Sequence, residues 1–239
     1  MNEARIAELL TPFLTDRSLR RGREASAKAA DVAALGPDQV RSISIYVDLL
    51  LHWNARINLT AVRQPEEIVT RHFGESIFAA RHLFPRAKRG ADQASKSSTV
   101  AAHPHVIDIG SGAGFPGLPI KIWAPQVRLM LIESNQKKAT FLREVIRSLR
   151  LTDAEVFAGR AGAFAGSKGA VVTFRAVEHF ESILPVAAGL VGSPGRLALL
   201  VGEAQLGSLR KELPSLQWSE PAKLPLSVNR VLIIGTKEP

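Results

Sequence analysis

Val106-Ile107-Asp108-Ile109-Gly110-Ser111-Gly112-Ala113-Gly114-Phe115-Pro116-Gly117 decides how this chain is read, because an apolar run stops at an acid and then breaks into alternate glycines. Such a strand-to-loop transition lets a nucleoside ligand lie against bare backbone, since glycine has no Cβ and accepts positive φ. Glu133 closes a second apolar run, Leu129-Met130-Leu131-Ile132, and stands 23 residues beyond Gly110. An acid about 20 residues past the glycines, at the end of a second strand, is placed to meet ribose hydroxyls.

The glycines fit two frames. Gly112, Gly114 and Gly117 satisfy GxGxxG and point to a dinucleotide, whereas Asp108, Gly110 and Gly112 with Gly114 satisfy the DxGxG pattern of an S-adenosylmethionine site. Pro116 and Pro119 flank Gly117, and proline is tolerated only in the first turn of a helix. The helix is therefore expected to begin near Pro116, which leaves Gly114 in the loop and favours the S-adenosylmethionine frame.

Composition narrows the partners. The 239 residues contain no cysteine, which excludes disulfides, thiolate metal sites and a cysteine nucleophile. No metal site is expected. No apolar stretch approaches the roughly 18 residues of a membrane span, and Met1-Asn2-Glu3 lacks the features of a signal peptide, so a cytoplasmic protein is expected. A net charge of +9, spread along the chain, favours a polyanionic partner.

Residues 1–84 read as a helical region that packs on a later sheet. Ile6, Leu9, Leu10 and Phe13 make one stripe; Gly36-Pro37 opens a longer one through Val40, Ile43, Val47, Leu50 and Asn54. Gln64-Pro65-Glu66-Glu67 starts another helix, on which Arg71 and His72 sit. His72 is a lone histidine and is expected to be a satisfied structural residue. Residues 85–105, rich in Lys, Arg, Ser and Ala, read as a basic flexible insert; a solvated linker is the favoured reading, with contact of Arg86, Lys88 and Arg89 to RNA as the alternative. From 106 to 239 strand and helix patterns alternate, which predicts a parallel α/β sheet covered on both faces. Its ligands are expected beyond the strand ends, at the loops after Ile109, Ile132, Phe157 and Phe174.

From about Tyr46 to its end the chain resembles the bacterial small-subunit ribosomal RNA guanine-N7 methyltransferases, also called glucose-inhibited division protein B. The resemblance is carried by Trp53-Asn54-Ala55-Arg56-Ile57-Asn58-Leu59-Thr60, by Arg71 to Ser76, by the glycine stretch through Pro119, by Glu133 with Lys137-Lys138 and Phe141-Leu142-Arg143, and by Phe174-Arg175-Ala176. It implies a Rossmann-like class I S-adenosylmethionine-dependent methyltransferase sheet with an amino-terminal helical extension. It also implies methylation of guanine N7 in 16S ribosomal RNA, within the small subunit or an assembly intermediate. In that frame Gly110 and Phe115 contact S-adenosyl-L-methionine, Ala161 and Gly162 present backbone to its adenine, and Arg175 lines the site as the catalytic side chain. The chain departs from the family pattern at Val201-Gly202, where a Lys-Gly pair is usual; at Glu75 and Glu133, where Asp is usual; and at Phe174, where serine is usual.

The chemistry agrees with the residues. Guanine N7 carries an sp² lone pair and needs no general base, so alignment alone can drive its attack on a sulfonium methyl. Arg175 at the end of a strand is positioned to donate to guanine O6, to phosphate or to a carboxylate, its alternative role being a structural ion pair. Two other readings stay open: a nicotinamide-dependent oxidoreductase using the GxGxxG frame, and a non-catalytic RNA-binding assembly protein.

Overall fold

The computed structural model describes residues 1–15, 34–86, 103–175 and 180–239. Five parallel strands, β1 (His105–Ile109), β2 (Arg128–Ile132), β3 (Ala154–Phe157), β4 (Gly169–Arg175) and β5 (Val191–Gly202), form most of the sheet. They continue into β6 (Gln217–Trp218), β7 (Ala222–Lys223) and β8 (Arg230–Lys237), with the order β3-β2-β1-β4-β5-β8-β6 and β7 also on β8. The expected wholly parallel sheet is corrected here, because β8 runs antiparallel to β5 and to both short strands. The chain leaves β5 through a helix (Leu206–Glu212) and then returns by way of β6 and β7, so β8 comes back along β5 in the opposite direction. Chain order reverses between β1 and β4, and the crevice beyond their carboxyl ends is where open α/β sheets take ligands.

Alternation along each strand builds two cores. Val106, Leu129, Leu131, Val171, Ala198 and Leu200 face one side, with the amino-terminal helices, while Ile107, Ile132, Val172, Phe174, Leu197 and Leu199 face the other. The first side is covered by α1 (Glu3–Leu14), α2 (Pro37–Ile57), α4 (Glu75–Leu83), α5 (Gly117–Trp123) and α6 (Gln136–Ser148), and by Ile68, Val69 and Phe73, which follow the turn α3 (Pro65–Glu67). The second is covered by α7 (Phe180–Leu190) and α8 (Leu206–Glu212). The period of two puts Asp108, Thr173 and Arg175 on the first side, under the amino-terminal helices.

Local chemistry starts these helices where the sequence signals it. Asn2 caps α1 through its side chain, Pro37 opens α2, and α2 ends at Asn58 in the left-handed region (φ 48°). Asn54 then pairs with the backbone of Thr60 in both directions, its amide donating to the Thr60 carbonyl and its oxygen accepting from the Thr60 N–H, which fixes the turn. Ile68–Gly74 forms a π-helix between α3 and α4, a form that favours functional sites and that the sequence reading did not foresee. Its Gly74 lies directly under the ring of Phe13, where a Cβ would collide. Of residues 85–105, those from 87 to 102 lie outside the described set; Arg86 stacks on Trp123 (3.6 Å to the ring centroid) and donates to the Ala34 and Trp123 carbonyls and to Gln39.

Candidate cofactor and acceptor site

The glycine loop follows β1 directly and is tied down at both ends. Gly110, Gly112 and Gly114 all have positive φ, 63°, 56° and 89°. They differ in what surrounds them. A Cβ on Gly112 would enter open space, with the Gly110 carbonyl 3.8 Å away, whereas one on Gly114 would strike the Tyr46 hydroxyl and Leu118. Gly112 therefore faces outward as bare backbone, and Gly114 lets α2 and α5 close against the loop. Tyr46 reinforces that closure by donating to the Ala113 carbonyl.

Glu133, at the end of β2, is buried and accepts from the Gly112 amide (2.8 Å) through one oxygen and from the Asn135 amide (2.7 Å) through the other. It thus locks the glycine loop to the entrance of α6, whose own cap is Asn135, accepting from Lys137 and Lys138. After β3, Ala161 and Gly162 lie in a 3₁₀ turn, and a Cβ on Gly162 would meet nothing within 4 Å. The loops after β1, β2 and β3 so converge on the predicted side of the sheet.

Asp108 and Phe115 sit deeper than the loop surface. Asp108 is fully buried, and one of its oxygens accepts from the Gly117 amide (3.2 Å) at the start of α5. A carboxylate thus occupies the helix end that a pyrophosphate would need, which argues against the dinucleotide frame. Its other oxygen and the Thr173 hydroxyl, paired with it in register on β4, are buried without a hydrogen-bond partner. Burial pushes the Asp108 carboxyl up to about 7. The ring of Phe115 closes the core, stacked between Tyr46 (5.5 Å) and His72 (4.9 Å) with the Arg175 guanidinium 5.3 Å above it.

Arg175 ends β4 and reaches across the first core into the π-helix. It donates to the Arg71 carbonyl (2.9 Å) and to Nδ1 of His72 (2.8 Å), and lies 3.6 Å from Glu75. Since arginine can only donate, His72 Nδ1 is an acceptor, and Nε2 carries the proton toward the Thr60 hydroxyl (2.8 Å). Burial, helped by Arg175, Arg71 and Arg230, holds the imidazole neutral, down to about 2. Glu75 is 2 % exposed, is raised by burial against the pull of Arg230 and Arg175, and forms an ion pair with Arg230. His72 is the satisfied histidine that was expected. His72 and Glu75 gave no recognisable signal as partners of Arg175, nor Arg230 as the partner of Glu75, because these contacts join residues a hundred or more positions apart in sequence.

Beside Arg175, toward β5, is a cavity of about 210 Å³ bordered by Arg71, His72, Phe180, Val201, Gln205 and Arg230 among others. No group of three or more metal-ligating His, Cys, Asp or Glu occurs among the described residues, and none of the described helices is long and apolar enough to cross a membrane.

The site fits S-adenosylmethionine. The open backbone at Gly112 and Gly162 leaves room for a nucleoside, Glu133 holds the Gly112 amide beside that space, and the orphaned oxygen of Asp108 lies beneath the loop at the switch point.

Comparison with known proteins points the same way. A family model described as rRNA small subunit methyltransferase G matches residues 39–228. Curated proteins named ribosomal RNA small subunit methyltransferase G are similar over most of the chain. That of Cupriavidus necator is 32% identical over 213 residues, 87% of this chain and 89% of that one. That of Nitrosomonas eutropha is 34% identical over 171 residues, covering 71% and 70%, and that of Aquifex aeolicus 42% over 149, covering 62% and 69%. The crystal structure of a ribosomal protein L11 methylase from Lactobacillus delbrueckii subsp. bulgaricus superposes with a TM-score of 0.55 at 10% identity, covering 71% of this chain and 79% of that one, which shows the shared Rossmann-like methyltransferase fold. With sheet order, glycine loop and family match in agreement, the chain belongs to the rRNA small subunit methyltransferase G family.

Proposed function

We propose that this protein transfers a methyl group from S-adenosylmethionine to N7 of a guanine in 16S ribosomal RNA, acting in the cytoplasm on the small subunit or an assembly intermediate. The observation that carries the reading is the hydrogen-bonded union of the open Gly112 backbone with Glu133, next in the sheet to a cavity walled by arginines. When bound, the cofactor supplies a sulfonium methyl whose bond to sulfur breaks as the N7 lone pair forms the new bond, leaving a thioether and a methylated base with no proton lost.

The chain's own residues align and shield. Gly110 and Gly112 offer backbone to the nucleoside, Glu133 holds the loop and has lone pairs left for ribose hydroxyls, and Ala161 and Gly162 border the adenine. Asp108 holds the start of α5, and Phe115 supports the guanidinium of Arg175 from below. Arg175 faces the acceptor cavity, fixed by His72 and the Arg71 carbonyl, as the side chain that meets the reacting base. Such fixed geometry is what a reaction without a general base requires. The net charge of +9 suits a polyanionic acceptor.

Mass spectrometry of nucleosides from 16S RNA, taken from cells with and without this protein, tests the reading. Loss of one 7-methylguanosine on deletion supports it; an unchanged nucleoside profile overturns it.

A further inference from the structure

Leu224-Pro225-Leu226-Ser227-Val228-Asn229-Arg230 carries the chain from β7 into β8 and places apolar side chains where both the turn and the solvent disfavour them. The Ser227 amide donates to the Leu224 carbonyl (3.2 Å), which makes Pro225 and Leu226 the two central residues of a turn. Proline suits the first of these positions. The second, with φ 58° at Leu226, is one that glycine or asparagine ordinarily fills. Leu226 is 71 % exposed and Val228 86 %, and among the described residues Ile45 on α2 is the one other large apolar side chain left exposed. A leucine in the left-handed region and in water is favoured by neither its backbone nor its burial, and an outlier of this kind points to function.

The tip is fastened to the carboxyl edge of the sheet. Leu224 anchors it in the core, the Asn229 carbonyl accepts from the Glu203 amide (2.9 Å) just beyond β5, and Ser227 Oγ accepts from the Arg230 amide (3.2 Å) and from Arg230 Nε (3.4 Å). The far end of the same guanidinium pairs with Glu75, and Arg230 and Gly202, opposite each other in register, border the cavity beside Arg175. Leu226 stands four residues from Arg230 and so lies within about 14 Å of it. The Arg175 side chain is 12 % exposed, so a stacked base reaches it only by leaving its neighbours, which opens a gap in the stack.

We infer that Leu226 and Val228 form an apolar wedge that enters the RNA base stack beside the acceptor nucleotide and fills the gap it leaves. This rests on the proposed methyl transfer to RNA and adds how the base is drawn from its stack. Apolar side chains inserted between bases replace part of the stacking that is lost. A tip already held by Leu224, Ser227 and Asn229 enters without first having to be ordered. The arginines of the adjoining cavity and the net charge of +9 attract the RNA backbone to the same edge.

The test uses the whole protein with small subunits reassembled on 16S RNA. The double variant Leu226→Asn, Val228→Ser removes the wedge and leaves a residue suited to the turn, so thermal stability and S-adenosylhomocysteine affinity should hold. Its methyl transfer is expected to fall at least tenfold, about 1.4 kcal/mol. Leu226→Met keeps an apolar wedge and should stay near the wild-type rate. With 2-aminopurine in place of either neighbour of the methylated guanosine, the wild type should raise the fluorescence at one of the two positions and the double variant should not. An abasic neighbour, which weakens the stack in advance, should restore most of the transfer that the double variant loses.

Wild-type rates in the double variant overturn the inference. A loss that an abasic neighbour does not relieve, or an equal fluorescence rise with wild type and variant, overturns it as well, since a tip that docks on a protein of the subunit would slow transfer without touching the stack. Absence of 7-methylguanosine from the wild-type reaction would instead refute the proposed reaction.

Discussion

Removing the Glu133 carboxylate is expected to weaken cofactor binding far more than it weakens the fold. Its two oxygens accept from the Gly112 and Asn135 amides at 2.8 and 2.7 Å in a buried position, and hydrogen bonds to charged groups contribute about 1.5–3 kcal/mol each. In Glu133→Ala the helix α6 keeps its Asn135 cap, so the Asn135 amide is the lesser loss. The Gly112 amide loses its tie, and the loop that must meet the nucleoside is no longer held. One such bond on the stability side implies a melting temperature lower by about 3–12 °C, at roughly 2–4 °C per kcal/mol for a chain of this size. The ribose hydroxyls lose their acceptor too, which implies an S-adenosylhomocysteine affinity lower by about tenfold to a hundredfold. Calorimetric titration of S-adenosylhomocysteine, with thermal unfolding of the same samples, measures both. Unchanged affinity with a lowered melting temperature would show that Glu133 only ties the loop and would refute the ribose assignment; Gly112→Val, a β-branched residue at φ 56° intruding into the open space, should abolish binding in the same assay.

Other expectations follow from the same site. Arg175→Lys keeps a charge but loses the planar fork that reaches His72 and Arg71 together, so single-turnover methyl transfer should fall at least tenfold, about 1.4 kcal/mol; normal turnover per folded molecule with a large drop in melting temperature would make Arg175 merely structural. Stability should respond to pH through two opposed groups. Asp108, raised from 3.8 to about 7, binds a proton in the folded state that the unfolded chain releases, so its contribution is lost as pH rises from about 4 through 7; His72, lowered from 6.5 to about 2, makes a contribution that is lost as pH falls below 6.5. Between about pH 4 and 6.5 the two slopes, at most about 1.4 kcal/mol per pH unit each, oppose one another. Asp108→Asn should therefore become steeply less stable toward acid, and His72→Asn less stable toward neutral pH, in urea titrations across that window; parallel profiles for both variants and wild type would contradict the burial argument. RNA affinity should fall linearly in log–log with salt, by about 0.7–0.9 per phosphate contacted, and salt-independent binding would contradict a phosphate-based interface.

The sequence carried the catalytic half of the molecule well and the supporting half poorly. The strands β1 to β5, the glycine loop and the start of α5 after Pro116 are local events, written in apolar runs, glycines and prolines. The antiparallel entry of β8 was not legible, because Val231–Gly235 reads the same in either direction. Helix α8 and the two-residue strands β6 and β7 are too short for periodicity to register. Among site residues, Glu133 and the glycines declare themselves by spacing. Phe115 and Asp108 share that motif, yet only packing reveals that both lie beneath the loop. The partners of Arg175 lie in the π-helix and at the start of α4, and Arg230 of β8 joins only through Glu75, so no pattern of period two or three to four assembles them.

The buried cluster around Arg175 has an evolutionary consequence. His72, Glu75, Arg175 and Arg230 come from three separate stretches of the chain, and each satisfies a charge or lone pair of another: His72 an N–H of Arg175, Glu75 the charges of both arginines. Residues in one such network do not contribute independently, and their couplings typically reach about 0.5–3 kcal/mol. Replacing Arg230 alone leaves the Glu75 carboxylate only the more distant Arg175 guanidinium, 3.6 Å away, while replacing Glu75 alone sets two guanidinium groups against each other. Drift at these four positions is therefore expected to proceed by joint replacement, and a library meant to move the specificity of this enzyme should randomise 72, 75, 175 and 230 together, since the single-step paths between workable combinations pass through variants whose buried charges are under-compensated.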